Sequence, residues 1–235
     1  MSNDLELERE LRSKTIDELA LSMPAAPDKA SPEHGYTVDV YQRYLEPLRD
    51  RPIRLLEIGV QEGRSLNLWG LVFASDQTQI TGVDIDLSKC RWSPPQGCEL
   101  LQCDINNRAL ISQIAIDRGP FDVIIDDGSH LAADQLAGFD MLWPHLAPSG
   151  LYFVEDLELN YESNVWGPSY SEGSGMVDFL GGELQHALHG RGRSRFARPT
   201  PLEAAVLPQL DRELEFIHLY RYIAVVGKRA RPLGA

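Results

Sequence analysis

From residue 53 onward the chain alternates short apolar runs with amphipathic stretches. Ile53–Ile58 (IRLLEI), Gln79–Asp84 (QITGVD), Glu99–Asp104 (ELLQCD), Phe121–Asp126 (FDVIID) and Gly150–Val154 (GLYFV) are each bounded by turn residues or acids and predict five strands. Helical spacing is predicted across roughly 65–73, 109–116, 132–142 and 176–188. Strand and helix in alternation build a doubly wound, mostly parallel α/β sheet. Two further strand-like runs, Leu214–Tyr220 and Tyr222–Val226, nearly touch in sequence. A parallel connection needs a dozen or more residues, so these two predict a C-terminal antiparallel hairpin and bring the sheet to seven strands. Ahead of residue 53 the pattern predicts a charged helix over 4–21, a linker through Pro24, Pro27 and Pro32, and a helix over 37–49 carrying Val38, Tyr41, Tyr44, Leu45 and Leu48 at helical spacing. The expected organisation is a helical leader over 1–50, acting as a lid, and a catalytic domain over 51–235.

Two acidic clusters interrupt this pattern. Asp126-Asp127-Gly128-Ser129-His130 follows the fourth predicted strand and Glu155-Asp156 follows the fifth. Carboxylates beside buried apolar runs are costly unless they are paired or bind something. Ligands of open parallel sheets sit beyond the carboxyl ends of the strands. If the two strands are neighbours, about 4.8 Å apart, four carboxylates and a histidine share one crevice. Adjacent strand residues face opposite ways, so Asp126 and Asp127 are expected to do different jobs. Read blandly, Asp127-Gly128-Ser129 is a turn with an acid capping the next helix, and His130 is a surface residue.

A second set of residues lies at the first three strand ends. Glu57-Ile-Gly59-Val-Gln-Glu-Gly63-Arg-Ser65 is a glycine turn between a strand and a helix. It lacks the third glycine of a dinucleotide fingerprint, and its leading acid suits a cationic ligand end better than a pyrophosphate. Asp84 ends the second strand, where a carboxylate can accept two ribose hydroxyls or simply close a turn. Asp104 ends the third, beside Ile105, an apolar edge suited to adenine.

The chain has 235 residues and a formal net charge of −13. That balance argues against nucleic acid as a partner, since a polyanion is bound by clustered Lys and Arg. The one basic run, Arg191, Arg193, Arg195 and Arg198, lies between glycines and prolines and reads as a solvated loop. Cys90, Cys98 and Cys103 have no C-x-x-C spacing, which argues for reduced thiols rather than zinc. No apolar run could span a membrane, and the acidic N-terminus does not look like a signal peptide, so a cytoplasmic protein is expected.

Residues 51–228 resemble a class I S-adenosylmethionine-dependent methyltransferase, with the hairpin typical of that Rossmann-like fold. Asp28-Lys29, His34-Gly35-Tyr36, Leu56-Glu-Ile-Gly-Val60, Asp126-Asp-Gly-Ser-His130 and Glu155-Asp156 are similar to the metal-dependent sugar O-methyltransferases of antibiotic (macrolide-type) biosynthesis. The resemblance implies Mg²⁺ held by Asp127, Glu155 and Asp156, with His130 as general base beside Asp127. It implies an S-adenosyl-L-methionine site formed by Glu57, Gly59, Gly63, Ser65, Asp84, Asp104, Ile105, Asp126 and Tyr36. The leader, with Lys29, His34 and Tyr36, would fold over cofactor and substrate, and a homo-oligomer acting on a small glycosylated substrate is expected.

The chemistry suits these residues. A sugar hydroxyl is a poor nucleophile near neutral pH; a histidine of unperturbed pKa near 6.5 can take its proton, and an oxygen-ligated ion can orient a diol. Tyr161, Trp166 and Tyr170 lie in the polar stretch after Asp156 and are candidates for a lid or for edge packing; Trp69 and Trp143 read as core. The alternatives are a phenolic or catechol hydroxyl as acceptor, an NAD-dependent oxidoreductase, and a non-catalytic cofactor-binding protein.

Overall fold

The computed structural model describes residues 10–91, 95–161, 175–188 and 206–234. Seven strands form one sheet: β1 Arg54–Ile58, β2 Gln79–Asp84, β3 Cys98–Gln102, β4 Phe121–Asp126, β5 Leu146–Val154, β6 Leu214–Leu219 and β7 Ala224–Lys228. Their order is β3-β2-β1-β4-β5-β7-β6. The first five run parallel, and β7 lies antiparallel to both β5 and β6. The helices are α1 Ile16–Ser22, α2 Gln42–Leu45, α3 Arg64–Val72, α4 Arg108–Arg118, α5 Ala132–Leu142, α6 Met176–Gly181, α7 Glu183–Leu188 and α8 Val206–Glu213.

Alternation along the central strands sorts side chains into two cores. Leu56, Ile124, Tyr152 and Val154 face α4 and α5, burying Phe139 and Trp143. Leu55, Val123, Phe153 and Val225 face the other way, where α3 contributes Leu68 and Trp69. The leader belongs to this second core through Ile16, Leu19, Tyr36, Tyr41 and Leu45.

The register levels the strand ends that matter. Ile58 pairs with Asp126 and Asp126 with Val154, so the residues that follow leave the sheet side by side. The ladder continues one step beyond the strands, with Asp127 N–H donating to Ile58 O (2.9 Å) and Glu155 N–H to Asp126 O (3.0 Å).

Several elements differ from expectation. The helix predicted over 4–21 is interrupted: residues 10–13 are helical, then Thr15 takes an extended conformation and caps α1 in a box with Glu18. An N-cap needs that backbone, which ends the preceding helix. The helix over 176–188 divides at Gly182, since adjacent glycines at 181 and 182 have poor helix propensity. The segment over 37–49 is helical from Thr37 to Leu48, with a π-helical first stretch over Thr37–Tyr41 and a final 3₁₀ turn over Glu46–Leu48. Strand β5 begins at Leu146, across a register shift opposite Phe121–Val123, and α8 was not predicted. Trp69 and Trp143 are core residues. Trp166, Tyr170 and the Arg191–Arg198 run lie outside the described residues, as does the side chain of Tyr161. Among the described residues, no helix is long and apolar enough to cross a membrane.

Candidate active site

The site is a set of strand ends that turn sharply. Gly59 has φ +90°, and a Cβ there would lie 1.8 Å from Asp127 O. Its missing side chain lets the β1 turn press against the end of β4. Gly63, at φ +83°, starts α3. Of the non-glycine residues with left-handed backbone, three line the cavity that these turns enclose: Gln61 at φ 48°, His130 at φ 59° and Asp156 at φ 54°.

That cavity holds about 400 Å³ at the carboxyl ends of β1 to β4, within the range of small-molecule sites. Gly59, Ser65, Asp84, Asp104 and Ile105 line one part, and Asp127, His130 and Asp156 another. Asp84 has a structural task as well: Oδ2 accepts from the Val60 and Gln61 N–H groups at 2.8 Å each, tying the glycine turn to β2. Asp104 Oδ1 accepts from Asn106 N–H at 2.9 Å.

Glu57, Gly63, Tyr36, Asp126 and Glu155 are not among the residues lining the cavity. Glu57 is fully buried; its Oε2 accepts from Ser65 Oγ (2.9 Å) and Trp69 Nε1 (3.1 Å). Burial pushes its carboxyl up to about 7, against the pull of the Lys29 ammonium. Asp126 points toward α5, where Tyr152 OH lies 3.5 Å from Oδ2, and burial pushes it to about 7 too. Asp127 points the other way, as strand alternation requires.

Between the two acidic clusters sits Lys29, on a 3₁₀ turn of the leader over Asp28–Ala30 and only 1% exposed. Its Nζ donates to Asp127 Oδ2 at 2.5 Å and Glu155 Oε1 at 2.6 Å, and lies 3.5 Å from Glu57 Oε1. Burial disfavours its charge, but the carboxylates of Asp127 and Glu155 outweigh that and hold its pKa well above the usual lysine range. Tyr41 OH also donates to Glu155 Oε1, and Tyr36 OH donates to Asp156 Oδ1 at 2.9 Å. Burial and the neighbouring Asp127 raise Glu155 well above the ordinary carboxylate range.

Asp127, His130 and Asp156 each bring one potential ligand atom within 4.8 Å of the others. His130 Nε2 is 3.7 Å from Asp156 Oδ2, and its buried Nδ1 has no hydrogen-bond partner among the described residues. Glu155 is not part of that convergence, because its side chain turns to Lys29 and Tyr41. A second convergence joins His34, Asp156 and Glu158, with His34 stacked on Tyr36 at 5.0 Å.

Tyr41 was read from sequence only as a buried helix position. Its one signal was chemical: a phenol deep in an apolar face needs an acceptor. Gln135 and Asn160 were missed entirely. Gln135 Nε2 donates to Glu155 O (2.9 Å), and Asn160 Nδ2 donates to Gln135 Oε1 (2.8 Å), bracing the end of β5.

Residues 56–157 match a family described as a methyltransferase domain. Among curated proteins, the chain is 33% identical over 204 residues to 8-demethyl-8-alpha-L-rhamnosyl tetracenomycin-C 2'-O-methyltransferase of Streptomyces olivaceus, covering 84% of this chain and 51% of the relative. It is 31% identical over 225 residues to L-olivosyl-oleandolide 3-O-methyltransferase of Streptomyces antibioticus, covering 92% and 54%. The chain thus spans about half the length of these relatives. Among solved structures, it superposes with a TM-score of 0.75 at 27% identity on the MycE methyltransferase of the mycinamycin biosynthetic pathway in complex with Mg, SAH and mycinamycin VI, covering 94% of this chain and 56% of that one.

Proposed function

Since residues 56–157 match a methyltransferase-domain family, we propose that this chain is an S-adenosylmethionine- and Mg²⁺-dependent O-methyltransferase acting on a sugar hydroxyl of a glycosylated natural product. The observation that carries the reading is the convergence of Asp127, His130 and Asp156 on a cavity built from strand ends. The relatives named above as sugar O-methyltransferases, and the MycE structure with Mg and SAH, support it.

The residues present fit both groups. An oxygen-rich donor set beside an orphaned imidazole nitrogen suits Mg²⁺. Asp127 and Asp156, which converge on the cavity, would hold the ion, with Glu155, outside that convergence, as the third ligand that the resemblance implies. When bound, the ion orients vicinal hydroxyls and lowers the pKa of one, and the sulfonium supplies an activated methyl group. The cavity's Asp84, Asp104 and Ile105 suit a ribose and an adenine edge, and the Gly59 turn gives backbone access to the ligand. The chain's own task is alignment, since in-line displacement depends on holding nucleophile and methyl in register. His130 takes the hydroxyl proton at the imidazole as the C–O bond forms. The leader over 1–50 acts as a lid on the catalytic domain over 51–235, in a cytoplasmic homo-oligomer; sedimentation would measure the assembly.

The test is calorimetry of metal-stripped protein with S-adenosylmethionine, then Mg²⁺, followed by turnover on glycosylated and catechol acceptors. Cofactor binding with Mg²⁺-dependent methylation of a sugar is expected; no cofactor binding overturns the reading. His130→Ala should lower turnover by roughly 10²–10⁴-fold with Mg²⁺ binding retained. Loss of Mg²⁺ binding in that variant would make His130 a ligand instead of a base.

A further inference from the structure

We propose that Lys29 is a positioning residue of the cation site, an internal ammonium that clamps one oxygen of Asp127 and one of Glu155 so that their remaining donors meet a divalent ion in fixed places. This rests on the metal-dependent reading above. Lys29 comes from a turn 98 residues before Asp127 and 126 before Glu155. It is the one side chain among the described residues that bonds to both acidic clusters. Its contacts are Asp127, Glu155 and, at 3.5 Å, Glu57; they do not include Asp156 or His130, which complete the convergence with Asp127. The ammonium therefore stands next to the cation locus and shares Asp127 with it.

Charge and geometry agree on this role. Once Asp127, Glu155 and Asp156 are all ionised, as ligands of a metal must be, they leave two negative charges beside one ammonium, the complement of a single divalent ion. Each bond from Lys29 uses only one oxygen of its acid. Tyr41 donates to the same Glu155 oxygen, and Tyr36 to Asp156, so the leader gives a donor to all three acids. Outer partners of metal ligands fix the ligands' orientation, and losing one typically weakens metal binding 10–100-fold. Removing the lysine would also leave the buried Glu155 and the partly buried Asp127 facing each other without a counter-charge.

The experiment is Mn²⁺ binding to the full chain, followed by electron paramagnetic resonance and calorimetry, for wild type, Lys29→Met and Lys29→Arg. Wild type should bind one ion. Lys29→Met should bind it at least tenfold more weakly, with an altered spectrum of the bound ion, while its affinity for S-adenosylmethionine without metal stays within about twofold. Lys29→Arg should recover part of the loss. If Lys29→Met does not fold, Tyr41→Phe removes a single donor from Glu155 and should weaken Mn²⁺ measurably. Equal or tighter Mn²⁺ binding by the tested variants would overturn the proposal, tighter binding marking Lys29 as a competitor of the ion. A wild type that binds no Mn²⁺ overturns the metal-dependent reading itself, and Lys29's role with it.

Discussion

Glu57 has no exposed surface, and burial lifts its carboxyl to about 7. Its unfolded value is near 4.3, so the folded state holds the proton more tightly. The associated stability is complete below about pH 4 and is lost as pH rises through 7. Glu57→Gln keeps an acceptor for Ser65 and Trp69 and should flatten the stability–pH curve between pH 5 and 8, by up to about 3 kcal/mol at the alkaline end. Urea unfolding at several pH values measures this; an unchanged slope would mean that another group titrates. At this scale the sequence was readable where periodicity decides. Asp126 and Asp127 had to diverge, and they point to Tyr152 and Lys29 respectively. The partners themselves were not readable: nothing near Lys29 in sequence announces an acid 98 positions away, and the glycine-turn motif gave no hint that Glu57 would serve Ser65 and Trp69 behind the cavity wall.

Elements followed the same division. Strand boundaries fell within a few residues of expectation because apolar runs ending in acids mark both the strand and its carboxyl end. Breaks inside helices did not show, since a capping box looks like any polar stretch until its backbone is known. Helix α1 depends on such a box. Thr15→Ala removes the side chain that accepts from Glu18 N–H at 3.1 Å and should cost about 1 kcal/mol, about 2–4 °C in Tm for a chain of this size, read by thermal unfolding. The junction of β1 with β4 is far less tolerant. Gly59→Ala sets a Cβ against Asp127 O in a left-handed conformation. It should cost at least about 3 kcal/mol and abolish cofactor binding; calorimetry and denaturation check both.

Over the whole molecule, a mostly parallel seven-stranded sheet with a terminal hairpin followed from alternation, whereas the strand order and the leader's place did not. Residues 16–48, within the leader proposed as a lid, supply Ile16, Leu19, Tyr36, Tyr41 and Leu45 to the core beneath β1, β4 and β5. Helical spacing announces an apolar face but not which surface it covers. A chain starting at residue 51 would leave Leu55, Trp69 and Phe153 without that cover and should lack a near-ultraviolet circular dichroism signal; a native spectrum would show that the leader is dispensable for folding. The left-handed backbone at His130 and Asp156 has a consequence for how such a protein changes over generations. A glycine at either position would relieve about 1 kcal/mol of conformational strain. A library screened for thermal survival alone should therefore enrich glycine at 130 and 156, drifting toward sturdier and inert descendants unless turnover is selected in the same round.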